Sequence, residues 1–305
     1  MEQELPVFSI IVPTYARPGQ LTSCLRSLAR LDYPRDRFEV IVVDDGNKAP
    51  LEGVVVPFHE RMNITLISQR HAGAATARNT GASRAKGEFF AFTDDDCTPA
   101  QDWLQALAAR FALTPDQAIG GRTLNALPDN PYSTASQAII DVVYAYYNAE
   151  PNRACFFASN NLALPADGFR AIAGFDATFT ASEDRDFCAR WLYDGHRMTY
   201  APEVQVHHAH PLTLPTFCRQ HFTYGRGDCR FHQACVRRGT GRPRLDVTFY
   251  LALLRYPFSQ VPGRRASLMA ALLAVSQLAK TTGFLWELAS QTARRDPQKI
   301  SEDSG

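Results

Sequence analysis

The chain has 305 residues, 45% of them hydrophobic, enough to bury the core of one large α/β domain or of a domain with a helical appendage. Its 32 Lys and Arg stand against 31 Asp and Glu, a formal charge of +1, so no global field recruits nucleic acid and any electrostatic function is local. The seven cysteines (Cys24, Cys97, Cys155, Cys188, Cys218, Cys229 and Cys235) are odd in number, scattered and without a C-x-x-C pair, which excludes a zinc ribbon and a disulfide scaffold. Glu2 and Glu4 stand where a secretory signal would be basic, and the expected location is the reducing cytoplasm.

Phe8 to Val12 reads as a strand that Pro13 ends, and Leu21, Cys24, Leu25 and Leu28 recur at helical spacing. Apolar runs at Val40–Val43 and Ile64–Ile67 stop at Asp44-Asp45-Gly46 and at Ser68-Gln69. The Ala-rich stretch Ala74 to Ala85 follows Gly73 and predicts a helix closely packed on a sheet, and Glu88 to Phe92 is a short strand running into Thr93-Asp94-Asp95-Asp96. Buried strands alternating with helices predict an α/β fold with an open, mostly parallel sheet and crossover helices. Ligands of such sheets lie outside the carboxyl ends of the strands, where these four polar loops fall. Farther on, Ser136 to Tyr147 reads as a helix whose aromatic residues either pack or wall a ligand, and Glu183 to Leu192 as a helix opened by acids. Beyond Pro211 the composition changes: ten Arg, two Asp, no Lys and no Glu up to Arg265, then the apolar stretch Ser267 to Ala289. The expected division is a domain over residues 1–210 and an Arg-rich helical region over 211–305.

Three successive carboxylates at the end of a buried strand repel one another unless a cation or hydrogen-bond donors offset their charge. Mg2+ or Mn2+ would do so, completing its shell with substrate phosphate oxygens and water. The alternative is an acidic turn capping a helix that starts near Pro99.

Several segments in order decide between these. Ser9-Ile-Ile-Val-Pro-Thr-Tyr with Ala16 and Arg17, VVDDG at Val42–Gly46, AGAATARNTGASRAKGEFFAFTDDD from Ala72 to Asp96, AGFD at Ala173–Asp176, Glu183-Asp184 and a histidine cluster after Pro202 together resemble glycosyltransferase family 2. The resemblance covers Ser9 to His210 and implies the GT-A fold, a nucleotide-diphosphate sugar donor, a divalent metal and transfer to a carbohydrate or lipid-linked hydroxyl acceptor. It implies that Pro13, Thr14 and Tyr15 line the nucleoside pocket, that Asp45 accepts from the base or ribose, and that Arg78 lies near the nucleotide. Within the D-x-D motif Asp94, Asp95 and Asp96 mark the donor site. Asp96 is the expected metal ligand, Asp94 holds the ribose or the metal's water shell, and His208 completes the shell, with His207 and His210 as competitors. Asn160, Asn161 and Glu183 fall on the acceptor side, and Arg226, in the run QHFTYGRG, is placed to contact the diphosphate. Ala16 stands where many members have Asn, Asn47 where Ser is common, and Ala173 in place of the first Gly of GGFD.

Displacement at the anomeric carbon needs a base for the acceptor hydroxyl and a cation for the departing diphosphate. Asp184 is the expected base, and a single displacement inverts the anomeric centre. Two other readings compete with this one. A nucleotidyltransferase would need a Gly-rich, basic N-terminal loop for a triphosphate, which is missing, and a silent binding protein would not need Asp96 and Asp184. Gln277, Lys280 and Glu287 interrupt the C-terminal apolar stretch, and a mid-segment Lys costs about 2.5 to 3.5 kcal/mol on insertion. That stretch is expected to pack on protein, at a domain or homo-oligomer interface, or to lie peripherally on an anionic membrane surface.

Overall fold

The computed structural model describes residues 4–240, 247–260 and 263–302, with side chains to 292, so Arg242 and Arg244 of the basic stretch lie outside the described residues. The first unit comprises residues 1–128, 143–178 and 184–210 and holds every strand among the described residues. β1 (Phe8–Thr14) is buried at every position. It is followed by α1 (Pro18–Leu28), β2 (Phe38–Asp44), the single turn α2 (Glu52–Val55), β3 (Asn63–Ser68), α3 (Ala74–Arg84), β4 (Phe89–Phe92), β5 (Cys97–Pro99), α4 (Trp103–Leu113) and β6 (Ala118–Asn125). After α5 (Pro131–Tyr147) come β7 (Leu162–Pro165), α6 (Ala166–Ala171), α7 (Glu183–Tyr193) and β8 (Met198–His208).

The eight strands form one sheet in the order β3-β2-β1-β4-β7-β6-β8-β5. β3, β2, β1 and β4 are parallel throughout, as is β6 with β8, while β7 and β5 run antiparallel to their neighbours. The four polar loops predicted at strand ends therefore leave one edge of an all-parallel half-sheet. Pro13 does not end β1. The Ile11 carbonyl accepts from Thr93 and the Thr14 carbonyl from Asp45, so residue 13 faces the β4 side, past the last β1–β4 pair at Ile11 and Phe92. A missing N–H costs no ladder bond there. The helix expected near Pro99 begins at Trp103, with β5 between it and the acids, so the triplet does not cap it.

Leu21, Cys24, Leu25 and Leu28 of α1 are buried as their spacing predicts, against a core that includes Phe8, Ile10, Val42, Trp103 and Leu107. α3 lies so close on the other face that a Cβ on Gly81 would stand 2.6 Å from Ile11 Cγ2 and 3.2 Å from Val43 Cγ2. Below it Phe92, Phe169, Phe175, Phe187 and Trp191 form a chain of ring contacts with centroids 4.8–6.0 Å apart.

The second unit comprises residues 129–142, 179–183 and 211–305 and is helical. It adds α8 (Leu214–Arg237), α9 (Val247–Gln260) and α10 (Arg264–Glu302) to the first turns of α5. Thr213 and Thr216 cap α8 reciprocally, backbone to side chain. α8 and α10 approach backbone to backbone: a Cβ on Gly225 would stand 1.8 Å from the Lys280 carbonyl oxygen, and one on Gly283 2.0 Å from that of Phe222. Two small apolar clusters, one with Ala135, Leu212, Phe217 and Leu272 and one with Ala138, Val142, Leu253 and Leu273, tie α5 and α9 to this pair. The charges that interrupt α10 are paired with α8, Lys280 with Asp228 at 2.8 Å and Glu287 with both Arg226 and Arg230 at 2.8 Å. Arg226, the residue expected to contact a diphosphate, donates its Nε–H to the buried Glu287 carboxylate, and 36% of its side chain is exposed.

Burial raises the Glu287 pKa, but hydrogen bonds from Arg226, Arg230 and Gln291 outweigh it and bring it down to about 2. A depressed carboxylate pKa adds stability above its ordinary value of 4.5 that is lost as pH falls through about 2. Glu287→Gln is expected to be less stable than the parent at neutral pH and to converge on it towards pH 2. Urea unfolding of both proteins across that range measures the gap, and a constant gap would show that the ion pairs contribute nothing.

Candidate active site

Parallel register places Thr14, Asp44 and Ser68 abreast at the ends of β1, β2 and β3, and the chain leaves β4 directly into Thr93–Asp96. Side chains from these ends meet. The Thr14 hydroxyl donates to Asp95 at 2.7 Å, and the Arg17 guanidinium spans two acids, 2.7 Å from Asp95 and 2.6 Å from Asp96. Arg78, buried on α3, is 2.6 Å from Asp94, and its guanidinium carbon stands 5.7 Å from the centre of the Phe175 ring.

The three acids are not equivalent. Burial among its neighbours pushes Asp95 up to about 7, against the pull of Arg17 and Thr14. For Asp96 the cost of burial is outweighed by the hydrogen bond and charge of His208 and by Arg17, and its pKa falls to about 2. Asp96 is thus the acid held ionised at the sheet edge. β5 pairs with β8 so that Cys97 is opposite His208, which brings His208 Nε2 to 3.3 Å from Asp96 Oδ1. Strand alternation turns His207 outward. Burial and the neighbouring His208 push His210 down to about 4. Of the three histidines, geometry puts His208 beside Asp96.

Asp96, Cys97 and His208 offer ligand atoms within 4.8 Å of one another. The 3.3 Å between Asp96 Oδ1 and His208 Nε2 suits adjacent ligands of one divalent ion, which at bond lengths of ~2.1 Å lie about 3 Å apart. Cys97 fits a hard ion poorly, since burial and the nearby acids raise its thiol pKa well above the ordinary value. The carboxylate and imidazole are the pair that fits Mg2+ or Mn2+.

Other expected residues are turned inward. The Asp45 carboxylate takes donors from Gln69 Nε2 and the Ala72 and Gly73 amides at 2.7–2.9 Å, with His71 Nδ1 also 2.9 Å away. The residue expected to accept from base or ribose is thus buried, supplied with protein donors, and holds the turn into α3. Pro13 lies inside β1 and Thr14 is committed to Asp95, so of the three residues expected to line the pocket only Tyr15 is exposed, stacked on His71 at 4.2 Å. Asn161 accepts from Trp103 Nε1 and donates to the Arg122 and Val204 carbonyls, and Asn160 accepts from Thr123. Both members of this pair, expected on the acceptor side, are buried and brace β6, β8 and α4 from within.

Asn79 clamps the AGFD turn through the Phe175 N–H and carbonyl at 2.9 and 2.7 Å, and Arg190, paired with buried Asp186, donates to the Ile172 and Gly174 carbonyls. This turn leads towards α7, which opens at Glu183 and Asp184, and Asp184 Oδ1 accepts the Arg185 amide at 2.7 Å. Two sequence departures gain a physical reading. Ala16 and Ala173 both have left-handed backbones, φ 56° and 59°, positions where Asn and Gly are favoured. Asn47 accepts the Ala16 amide at 2.6 Å and donates to Asp44, supplying from the neighbouring loop a hydrogen bond across the turn.

Sequence reading missed Arg17, Gln69 and His71 as site residues. Arg17 was legible in principle: a basic residue on the loop beside three acids is their nearest source of charge balance.

Residues 9–172 match the family model described as glycosyl transferase family 2. Glycosyltransferase AglE of Haloferax volcanii is 26% identical over 231 residues, 74% of this chain and 74% of that protein. The pre-mycofactocin glycosyltransferase of Mycobacterium tuberculosis is 27% identical over 297 residues, 93% of this chain but 61% of that protein. Among solved structures, the mannosyltransferase PcManGT from Pyrobaculum calidifontis, in complex with GDP-Man and Mn2+, superposes with a TM-score of 0.62 at 21% identity, covering 95% of this chain and 81% of that one. Staphylococcus aureus TarS 1-349 in complex with UDP-GlcNAc gives a TM-score of 0.54 at 16% identity, covering 94% and 92%.

The left-handed Ala173 carries a conformational cost that glycine would not. Ala173→Gly is expected to stabilise the protein by about 1 kcal/mol in denaturant unfolding. A destabilised variant would show that the Ala173 methyl group contributes more in contacts than its backbone costs.

Proposed function

Because the chain belongs to glycosyl transferase family 2 and has the GT-A fold, we propose that this glycosyltransferase moves a sugar from a nucleotide-diphosphate sugar to an acceptor hydroxyl with inversion. The observation that carries this reading is Asp96 Oδ1 at 3.3 Å from His208 Nε2 beyond the carboxyl end of the parallel half-sheet, with the exposed Tyr15–His71 stack on a neighbouring loop. PcManGT with GDP-Man and Mn2+ and TarS with UDP-GlcNAc support the donor class and leave both base and sugar open. The acceptor is a carbohydrate or a lipid-linked hydroxyl, and seven free thiols, five of them buried, suit a reducing cytoplasmic setting.

Asp96 and His208 would hold Mg2+ or Mn2+, which when bound supplies positive charge for the departing diphosphate. Before the donor arrives, Arg17 and His208 neutralise Asp96. Arg17, with 40% of its side chain exposed, is then available to exchange a carboxylate for a phosphate oxygen. Arg78 and Thr14 hold Asp94 and Asp95 in place. Asp184 takes the acceptor proton. Its place in the first turn of α7 holds it on a regular element, as suits a group that must accept a proton at hydrogen-bond distance. Inversion follows from one displacement with one base.

A screen of nucleotide sugars with and without Mn2+ tests the donor reading through thermal stabilisation, since a matched donor binds the native state. Asp96→Ala is expected to abolish turnover and the metal-dependent part of the donor's stabilisation. Full activity in that variant or in excess chelator would overturn the metal assignment. Asp184→Asn should lower turnover by roughly 10² to 10⁴ and leave donor stabilisation intact. Lost donor binding would move Asp184 to the donor end, and unchanged turnover would pass the role to Glu183, since Asp186 is buried against Arg190.

A further inference from the structure

α9 has two apolar faces. Leu253 and Pro257 are buried in the helical unit, and the Tyr256 hydroxyl donates to Asp141 at 2.8 Å. Away from these, Val247, Tyr250, Leu251, Leu254 and Phe258 are 37–67% exposed. At about 100° per residue the five fall within an arc of roughly 100°, one continuous stripe. α10 repeats the pattern. Leu268, Leu278, Leu285, Trp286 and Leu288 are 45–70% exposed, while Lys280 and Glu287 are turned to Asp228, Arg226 and Arg230 of α8.

The charge on this surface has one sign. Among the described residues from Val247 to Thr292 the sole acid is Glu287, which is buried, whereas Arg255, Arg264 and Arg265 are exposed. Arg264 and Arg265 begin α10, whose first turn contains no acid. Two cations at the positive end of a helix dipole are unfavourable until an anion joins them.

We infer that α9 and the outer face of α10 form a docking surface for an anionic lipid bilayer, lying along the boundary between headgroups and acyl chains. An exposed apolar stripe flanked by arginine and lacking acid is what such a boundary accepts. A second copy of the chain would bring the same arginines and no complementary acid. Crossing the membrane is opposed by α8, which packs along α10 and would carry Arg226, Asp228 and Arg230 into hydrocarbon. The inference stands on the helical unit alone, so its test reads binding and not turnover.

The full chain is mixed with vesicles of phosphatidylcholine, alone or with phosphatidylglycerol, and floated. Flotation is expected only with phosphatidylglycerol and should be lost at high salt. The combined Arg255→Gln, Arg264→Gln and Arg265→Gln variant should bind roughly a hundredfold more weakly, from a contribution of ~1 kcal/mol per basic residue near an anionic surface. Phe258→Trp places a reporter in the stripe without removing apolar surface, and its fluorescence should be quenched by brominated acyl chains. Flotation without that quenching, equal binding to both vesicles, or no binding overturns the inference. So does a dimer in sedimentation that Leu254→Gln with Phe258→Gln dissolves, which would assign the surface to a second copy.

Discussion

Three consecutive carboxylates can share the end of a buried strand only where positive charge and hydrogen-bond donors reach each of them, and much of the catalytic unit is arranged to meet that requirement. Arg78 from α3 reaches Asp94, Thr14 and Arg17 from the first loop reach Asp95, and Arg17 with His208 reaches Asp96. These groups come from β1 and the loop after it, α3 and β8, so bringing them together depends on the strand order. The chemical result is division of labour within the triplet. Asp95, with no exposed surface, is the acid whose pKa burial raises, and Asp96 is the one that His208 and Arg17 hold low.

The parallel half of the sheet was legible because its signals are local. Val40–Val43 is a buried run and Ile64–Ile67 a partly buried one on the edge strand, both stopping at polar residues, and α1 carries its apolar positions at helical spacing. The approximate place of the site followed from where those runs end. What each residue does there was less legible, because polar side chains look alike in sequence whether they face solvent or one another. Asp45 has the composition of a ligand contact, and only the folded 69–73 loop reveals three protein donors on its carboxylate. Asn160 and Asn161 resemble a turn and are internal braces. The choice among His207, His208 and His210 needed the register of β5 on β8, a pairing more than a hundred residues apart in the chain.

The helical unit shows the same limit from the opposite side. Lys280 and Glu287 read as interruptions of an apolar segment, and by composition they argue against deep burial in lipid. Their side chains face α8, which the glycine contacts at Gly225 and Gly283 bring near enough for ion pairs at 2.8 Å. The outer surface is consequently more apolar than the sequence of the segment suggests.

Gly81 sets a distance that matters well beyond its own position. Its missing Cβ lets α3 settle against Ile11 and Val43, and Arg78 and Asn79 lie within one turn of it on the same helix. The depth of that helix therefore calibrates both the 2.6 Å reach to Asp94 and the clamp on the AGFD turn. A side chain at residue 81 would lift the helix as a body, and the two contacts would be misset together while the apolar core on the opposite face of the sheet kept its packing. The geometry of the acid triplet is thus governed by a spacer that lies outside it, and overpacking at that spacer would cost stability and misset the triplet together.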